Sequence, residues 1–239
     1  MKRKPVLTNW KDGFDDKPTT TVPRIQFCHK FNKKYLNKTD RILEIGCGTG
    51  TNIYLIDGDD TIGVDIQFNA LATAKKFCKR ADFVVASAFD LPFKDEIFDS
   101  ICIWGLLEEL TMGTEIKAIK EANRIMRIDA NLMLSAYNKS AMSKLFDPAV
   151  LLYGLRQYGF RNLNDILNKN GFSVIEHIIK GGWNTLLANN TFLIYKHLFH
   201  KKEGKLKRYF DQKSNQEFNS VGSGKLYTFV VAKKVPRIK

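Results

Sequence analysis

The sequence predicts an α/β fold built on a mostly parallel sheet, and three observations support this prediction. Residues 41–45 form an apolar run typical of a buried strand, and Gly46, Gly48 and Gly50 follow it directly. A second apolar run, 61–66, carries Asp65 near its end, about 20 residues after the first glycine. Amphipathic helical patterns then alternate with further apolar runs. A strand, a glycine turn and a helix in this order form the cradle of a nucleotide-type cofactor.

Each element of the N-terminal half has a local signal. A helix over 23–36 begins at Pro23, because proline suits the first turn of a helix. After strand 41–45 and the glycine turn, a helix over 51–55 and a polar loop lead to strand 61–66. The helix over 69–80 has apolar residues on one face and lysines on the other, and strand 82–86 follows it.

The C-terminal half continues the alternation. Strand 98–104 opens with Ile97-Phe98-Asp99, and the helix over 114–127 has separate apolar and charged faces. A polar turn leads to strand 132–137. A helix over 162–170 is capped by Gly171, and strands over 172–179 and 226–232 bring the predicted number to seven.

The net charge of +13 is concentrated at the two ends of the chain. Residues 1–41 carry 11 Lys or Arg against 4 Asp or Glu, residues 196–239 carry 12 against 3, and the middle carries 15 against 18. Basic ends suit nucleic acid, an anionic membrane face or a phosphorylated substrate. A solubilising surface explains them equally well.

Cysteine usage and hydropathy favour a cytoplasmic location. The four cysteines are scattered, without a Cys-x-x-Cys pair or a cluster of metal-ligand spacing, so we expect no metal site and free thiols in a reducing compartment. The basic N-terminus lacks the apolar stretch of a signal peptide, and no run of about 18 apolar residues predicts a membrane span.

Several motifs together resemble the class I S-adenosylmethionine-dependent methyltransferases, in their type 11, small-molecule branch. The pattern Glu44-x-Gly-x-Gly-x-Gly50 resembles the first motif of that family, and Asp65 stands where its companion acid ends the second strand. Residues 88–93, Ala-x-x-Leu-Pro-Phe, resemble the third motif, although Ser87 replaces an aspartate common there. The resemblance implies a Rossmann-like sheet of seven strands, with helices on both faces and the last strand antiparallel.

The resemblance also implies a cofactor, S-adenosyl-L-methionine, which becomes S-adenosyl-L-homocysteine. By position in the motifs, the expected cofactor-binding residues are Glu44, Gly46, Cys47, Gly48, Gly50, Asp65, Ile66, Ser87, Ala88, Phe89 and Trp104. Asp65 is expected to accept hydrogen bonds from the ribose hydroxyls, and Glu44 to hold the amino group of the methionine part. For Phe89, ordinary core packing is the alternative.

Two residues are candidates for catalysis. Glu109 stands where relatives often have histidine, and its carboxylate could take a proton or attract a cationic substrate. The alternative is a surface carboxylate favoured by a helix N-terminus. Tyr137 ends a strand and is expected to face the substrate.

These features predict a methyltransferase that acts on O or N of a small molecule, such as a sugar, a lipid-linked intermediate or a secondary metabolite. The chain lacks the Asn/Asp-Pro-Pro-Tyr/Phe signature of nucleobase and glutamine methylation after strand 98–104. An RNA methyltransferase that uses the basic ends remains an alternative, as does a cofactor-binding protein without transferase activity.

Two segments lie outside the expected methyltransferase core. Residues 1–40 are predicted to form an arm and a helix, and the resemblance implies that they cover the site as a lid. The insertion 181–225 precedes the last strand and has apolar content of its own. It could close the acceptor pocket, dock residues 184–208 on an anionic membrane surface, or mediate dimerisation.

Overall fold

The computed structural model describes residues 22–198, 204–222 and 224–236, and it confirms the predicted α/β fold. The strand order is β3-β2-β1-β4-β5-β8-β7, with a two-residue strand, β6, paired to β5. Every pairing is parallel except those of β8, which runs antiparallel to β5 and β7. The predicted antiparallel last strand is therefore confirmed.

The strands are β1 (Arg41–Ile45), β2 (Asp60–Asp65), β3 (Asp82–Val85), β4 (Phe98–Trp104), β5 (Met126–Asn138), β6 (Gln157–Tyr158), β7 (Phe172–Lys180) and β8 (Tyr227–Lys234). The helices are α1 (Pro23–Tyr35), α2 (Phe68–Phe77), α3 (Glu115–Ile125), α4 (Ala141–Phe146), α5 (Pro148–Tyr153), α6 (Phe160–Lys169), α7 (Trp183–Leu198) and α8 (Lys205–Asn219).

The strand order creates a crevice between β1 and β4. From β1 the chain proceeds outward through β2 and β3, and then returns to β4 on the other side of β1. Loops that leave β1 and β4 therefore diverge at the carboxyl edge of the sheet, which is where α/β folds bind ligands. Both loops begin with a glycine at a φ of +76°, Gly46 after β1 and Gly105 after β4.

Helix α1 packs flat on one face of the sheet. The ring centroid of Phe27 lies 4.8 Å from that of Phe229 on β8, and the ring of Phe31 meets Trp104 on β4 edge to face at 6.5 Å. The middle of the helix is therefore core, and its N-terminal turn reaches the carboxyl edge through Arg24. The predicted arm over residues 1–21 lies outside the described residues, so the lid role remains a prediction.

The insertion forms two helices, α7 and α8, of which the sequence predicts only the first. The carboxylate of Glu217 on α8 accepts hydrogen bonds from the backbone N–H groups of Gly182, Asn184 and Thr185 at 2.9–3.0 Å. These bonds outweigh the effect of burial and lower the pKa of Glu217. A charged residue of α8 therefore caps the start of α7 and fixes the two helices to each other.

Three sequence-based expectations need correction. The helix predicted over 51–55 is a 3-10 turn, Ile53–Leu55, because the chain must return to β2 at Asp60 within a few residues. The turn predicted between 127 and 131 belongs to β5, whose register shifts around Asp129 at a φ of +63°. The strand β6 and the helices α4, α5 and α8 have no counterpart in the prediction.

Candidate active site

The loop after β1 leaves open space beside one of its glycines. Gly46, Gly48 and Gly50 have φ angles of +76°, +52° and +78°. A Cβ atom on Gly48 would meet nothing within 4 Å, whereas one on Gly46 would lie 2.9 Å from Leu106 and one on Gly50 3.0 Å from Ala74. The first and third glycines therefore allow close packing, and the second faces a space that a ligand can occupy.

Asp65 ties this loop to the end of β2. Its Oδ2 atom accepts a hydrogen bond of 2.9 Å from the Gly48 backbone N–H, and its Oδ1 accepts one of 2.9 Å from Gln67. Each carboxylate oxygen can accept a second bond, so Asp65 can hold two further donors while it fixes the loop.

Glu44 places a buried carboxylate directly beneath the loop. Its Oε1 atom accepts a hydrogen bond of 3.1 Å from the Asn52 side chain, while Oε2 is buried without a hydrogen-bond partner among the described residues. Burial raises the pKa of Glu44 to about 8, and the bond from Asn52 lowers it only in part. A buried carboxylate of this kind requires a proton or a cationic ligand.

The residues predicted to surround an adenine lie together next to Asp65. The Ala86 N–H donates to the Asp65 carbonyl at 3.1 Å and joins the ends of β2 and β3. Ile66 is 56% exposed and Phe89 38%, so both apolar side chains are available to a flat ring. The Ser87 hydroxyl accepts a hydrogen bond of 3.2 Å from the Phe89 N–H, and Ala88 lies between them.

Two of the predicted cofactor-binding side chains point into the core. Cys47 is buried against β2, where a Cβ on Gly63 would lie 2.8 Å from its Sγ atom. Trp104 is 4% exposed and packs against Phe31 of α1. At Cys47 only the backbone is open to a ligand, and the Trp104 side chain supports α1 rather than lining the crevice.

Glu109 lies beside a buried ion pair. Arg24 of α1 donates from Nη1 to Oε1 of Glu108 at 3.2 Å, and Glu108 is 2% exposed. Burial raises the pKa of Glu109 to about 7, and the negative charges of Glu108 and Asp65 add to this effect. Glu109 is therefore poised to gain or lose a proton near neutral pH.

Tyr137 belongs to a buried polar and aromatic group at the end of β5. Its ring lies 4.9 Å from that of Tyr227, whose hydroxyl accepts a hydrogen bond of 2.9 Å from Asn189 on α7. The Arg24 guanidinium stands 5.3 Å from the centroid of the Tyr227 ring. Burial keeps the pKa of Tyr137 well above its usual value, so its hydroxyl is a hydrogen-bond donor and not a base.

Sequence reasoning missed Arg24, Tyr227 and Asn189. Arg24 is one basic residue in the first turn of a helix, and the other two lie on the last strand and in the insertion. The chain has no local pattern around them, because only the tertiary fold brings these three elements to the same edge of the sheet.

Comparisons with known proteins agree with this geometry. Residues 43–134 match the model of the methyltransferase domain family. An uncharacterized protein of Methanocaldococcus jannaschii is 26% identical over 170 residues, which cover 60% of this chain and 65% of that protein. Tocopherol O-methyltransferase of Arabidopsis thaliana is 26% identical over 52% of this chain and 38% of its own length. The mouse protein named "Probable tRNA methyltransferase 9B" is 27% identical over 59% of this chain and 31% of its own. The chain thus spans less than two thirds of the length of these relatives.

A solved structure supports the same fold. Phosphoethanolamine N-methyltransferase 2 of Haemonchus contortus, in complex with phosphomonomethylethanolamine and S-adenosylhomocysteine, superposes with a TM-score of 0.63 at 15% identity. The match covers 93% of this chain and 56% of that one. Residues 43–134 thus match the methyltransferase domain family, and the chain as a whole has the fold of S-adenosylmethionine-dependent methyltransferases.

Proposed function

We propose that the chain transfers the methyl group of S-adenosylmethionine to an oxygen or nitrogen atom of a small molecule. The observation that carries this proposal is the cradle after β1. It combines open space at Gly48, the Asp65 carboxylate at its rim and the buried Glu44 carboxylate below it. A sugar-bearing, positively charged ligand fits this set, because Asp65 suits hydroxyl donors and Glu44 suits an ammonium group.

The cofactor supplies an electrophilic methyl group on a sulfonium, which a nucleophile displaces in line. The chain's own part is to orient the partners and exclude water. Asp65 would hold the ribose, with Ile66, Ser87, Ala88 and Phe89 around the adenine. Glu44 would pair with the amino group and lose its proton as that charge arrives.

On the acceptor side we assign Glu109 the role of proton acceptor. Its pKa of about 7 lets it take a proton from a hydroxyl or ammonium acceptor at neutral pH. Tyr137 would donate a hydrogen bond to the acceptor. The Arg24–Glu108 pair and the bond from Asn189 to Tyr227 bring α1 and α7 to this region, and polar groups covered by two helices suit a small molecule better than a polynucleotide.

A second candidate is RNA methylation, which the basic ends and the name of the mouse relative favour. A cofactor-binding protein without transferase activity is the third. The candidates share the cradle and differ in whether the methyl group is transferred and in what receives it.

Replacement of Asp65 by Asn or Ala tests the cradle. We expect affinity for S-adenosylmethionine, measured by isothermal titration calorimetry, to fall about 10- to 100-fold, because both variants lose the charged acceptor and Asp65→Ala also loses the hydrogen bond from the Gly48 N–H. Asp82→Asn, at the exposed start of β3, serves as the matched control and should bind like the parent chain. Unchanged affinity in the Asp65 variants would place the cofactor elsewhere.

Glu44 makes stability depend on pH in the ligand-free protein. Its pKa is about 8 when folded and 4.5 without the fold, so between these values the folded state holds a proton that the unfolded state has lost. The free energy of unfolding should therefore decrease as pH rises through this window, by at most about 1.4 kcal/mol per pH unit from this group. Urea unfolding across the window should show a shallower decrease in Glu44→Gln. Parallel slopes in the two proteins would contradict a buried, unpaired Glu44.

Methyl transfer can be followed without knowing the acceptor. A cell extract separated into small metabolites, lipids and RNA is incubated with the enzyme and S-adenosylmethionine labelled in the methyl group. We expect label in the metabolite or lipid fraction, and none above background with Asp65→Ala. Label in RNA alone would favour the second candidate, and label in no fraction would favour the third.

A further inference from the structure

Six large apolar side chains form an exposed patch across three helices. They are Leu145 (61% exposed) and Phe146 (51%) on α4, Leu151 (59%) and Leu152 (74%) on α5, and Trp183 (53%) and Leu187 (39%) on α7. The ring centroids of Phe146 and Trp183 lie 5.4 Å apart and α4 also contacts α5, so α4 joins the other two helices. We call this surface the apolar patch; its clustering distinguishes it from the single exposed apolar residues that are normal on proteins.

The apolar patch lies at the carboxyl edge of the sheet, where the proposed active site opens. Helix α4 follows the carboxyl end of β5, and α7 follows that of β7. Both strands run antiparallel to β8, so they run in the same direction and end at the same edge. Through Asn189, α7 also contacts Tyr227 in the acceptor region, so the patch and the proposed pocket share a helix.

The charges around the apolar patch are positive. Lys139 precedes α4, Lys144 lies on it, and both are exposed, whereas the single acid of residues 139–153, Asp147, is fully buried. Residues 180–198 contain two lysines and no Asp or Glu. On the adjoining helix α8, the Glu217 carboxylate already accepts hydrogen bonds from the N–H groups at the start of α7.

We propose that the apolar patch docks on the surface of an anionic lipid bilayer. Exposed Trp, Phe and Leu side chains bordered by lysines suit a bilayer interface, where the apolar groups enter the acyl boundary and the lysines meet lipid phosphates. A second copy of the chain suits the patch less well. A two-fold contact would bring Lys139 and Lys144 of both copies together with no exposed acid from these segments to pair with them.

This assignment modifies the one made from sequence. The segment 184–208 contributes Leu187, while the most exposed apolar side chains lie on α4 and α5, outside it. The contact proposed here is peripheral, made by side chains on the outer surface of α4, α5 and α7. Within the described ranges, none of the helices qualifies as a membrane span. If the proposed methyl transfer is also correct, an acceptor embedded in the membrane would enter the site from the docked edge.

Vesicle flotation tests the docking without any methyl donor. The full chain is mixed with vesicles of phosphatidylcholine, or of phosphatidylcholine and phosphatidylglycerol, and floated on a density gradient. We expect flotation with the anionic vesicles, and about tenfold weaker partitioning for Leu151→Asn/Leu152→Asn and for Lys139→Glu/Lys144→Glu. Because the two leucines are exposed, these variants should unfold at the same temperature as the parent chain.

Matched controls lie on the opposite edge of the sheet. Ile128→Asn replaces a 40% exposed apolar residue near the start of β5. Lys169→Glu/Lys233→Glu reverses the charge of two exposed lysines, one near the start of β7 and one near the end of β8. Both should float like the parent chain. The proposal would be overturned if the parent chain did not float, or if patch and control variants floated equally. It would also be overturned if sedimentation equilibrium showed a dimer that is lost only in the patch variants. S-adenosylmethionine affinity, measured separately, tests the proposed function and is expected to be the same in all these variants.

Discussion

The hydrogen bond from the Gly48 backbone N–H to the Asp65 carboxylate is the interaction on which the site depends. It joins the loop after β1 to the end of β2, and so fixes the shape of the cradle before any ligand arrives. The same carboxylate retains acceptor capacity for a ligand. A neighbouring buried carboxylate, Glu44, carries a pKa of about 8 because the fold provides it with no cation among the described residues. The shape of the cradle is thus fixed in advance, while the Glu44 carboxylate still lacks a positive partner among the described residues. This is the state expected of a site that binds a cation.

The acceptor side depends on contacts between distant parts of the chain. Arg24 from α1 meets Glu108 after β4 and the ring of Tyr227 on β8, and Asn189 from the insertion meets the hydroxyl of Tyr227. The negative charge of Glu108 in turn helps to raise the pKa of Glu109. The N-terminal helix and the insertion therefore shape the chemistry of the proposed acceptor pocket, although neither belongs to the segment that matches the family model, residues 43–134.

The strands and glycines that form the proposed cradle have local signals in the sequence. The limits of β1 and β4 are predicted to the residue, since apolar residues predominate in both central strands and turns bound them. The prediction of an α-helix after Gly50 is wrong, because the chain has too few residues before β2 to form one. Arg24 and Asn189 could not be predicted, since their positions depend on how α1 and α7 pack against the sheet. The assignment of Trp104 to the crevice failed for a related reason: its ring turns toward α1, which periodicity along β4 cannot reveal.

A crystal structure of the chain with S-adenosylhomocysteine tests the central claim most directly, because it locates the ligand independently of any acceptor. We predict that the ribose lies against the Asp65 carboxylate and that the ligand contacts the backbone of Gly48. The amino group of the ligand should lie near Oε2 of Glu44. Ordered ligand at another place, or ligand in the crevice with Asp65 and Glu44 both out of contact, would contradict the assignment of this loop as the cofactor site.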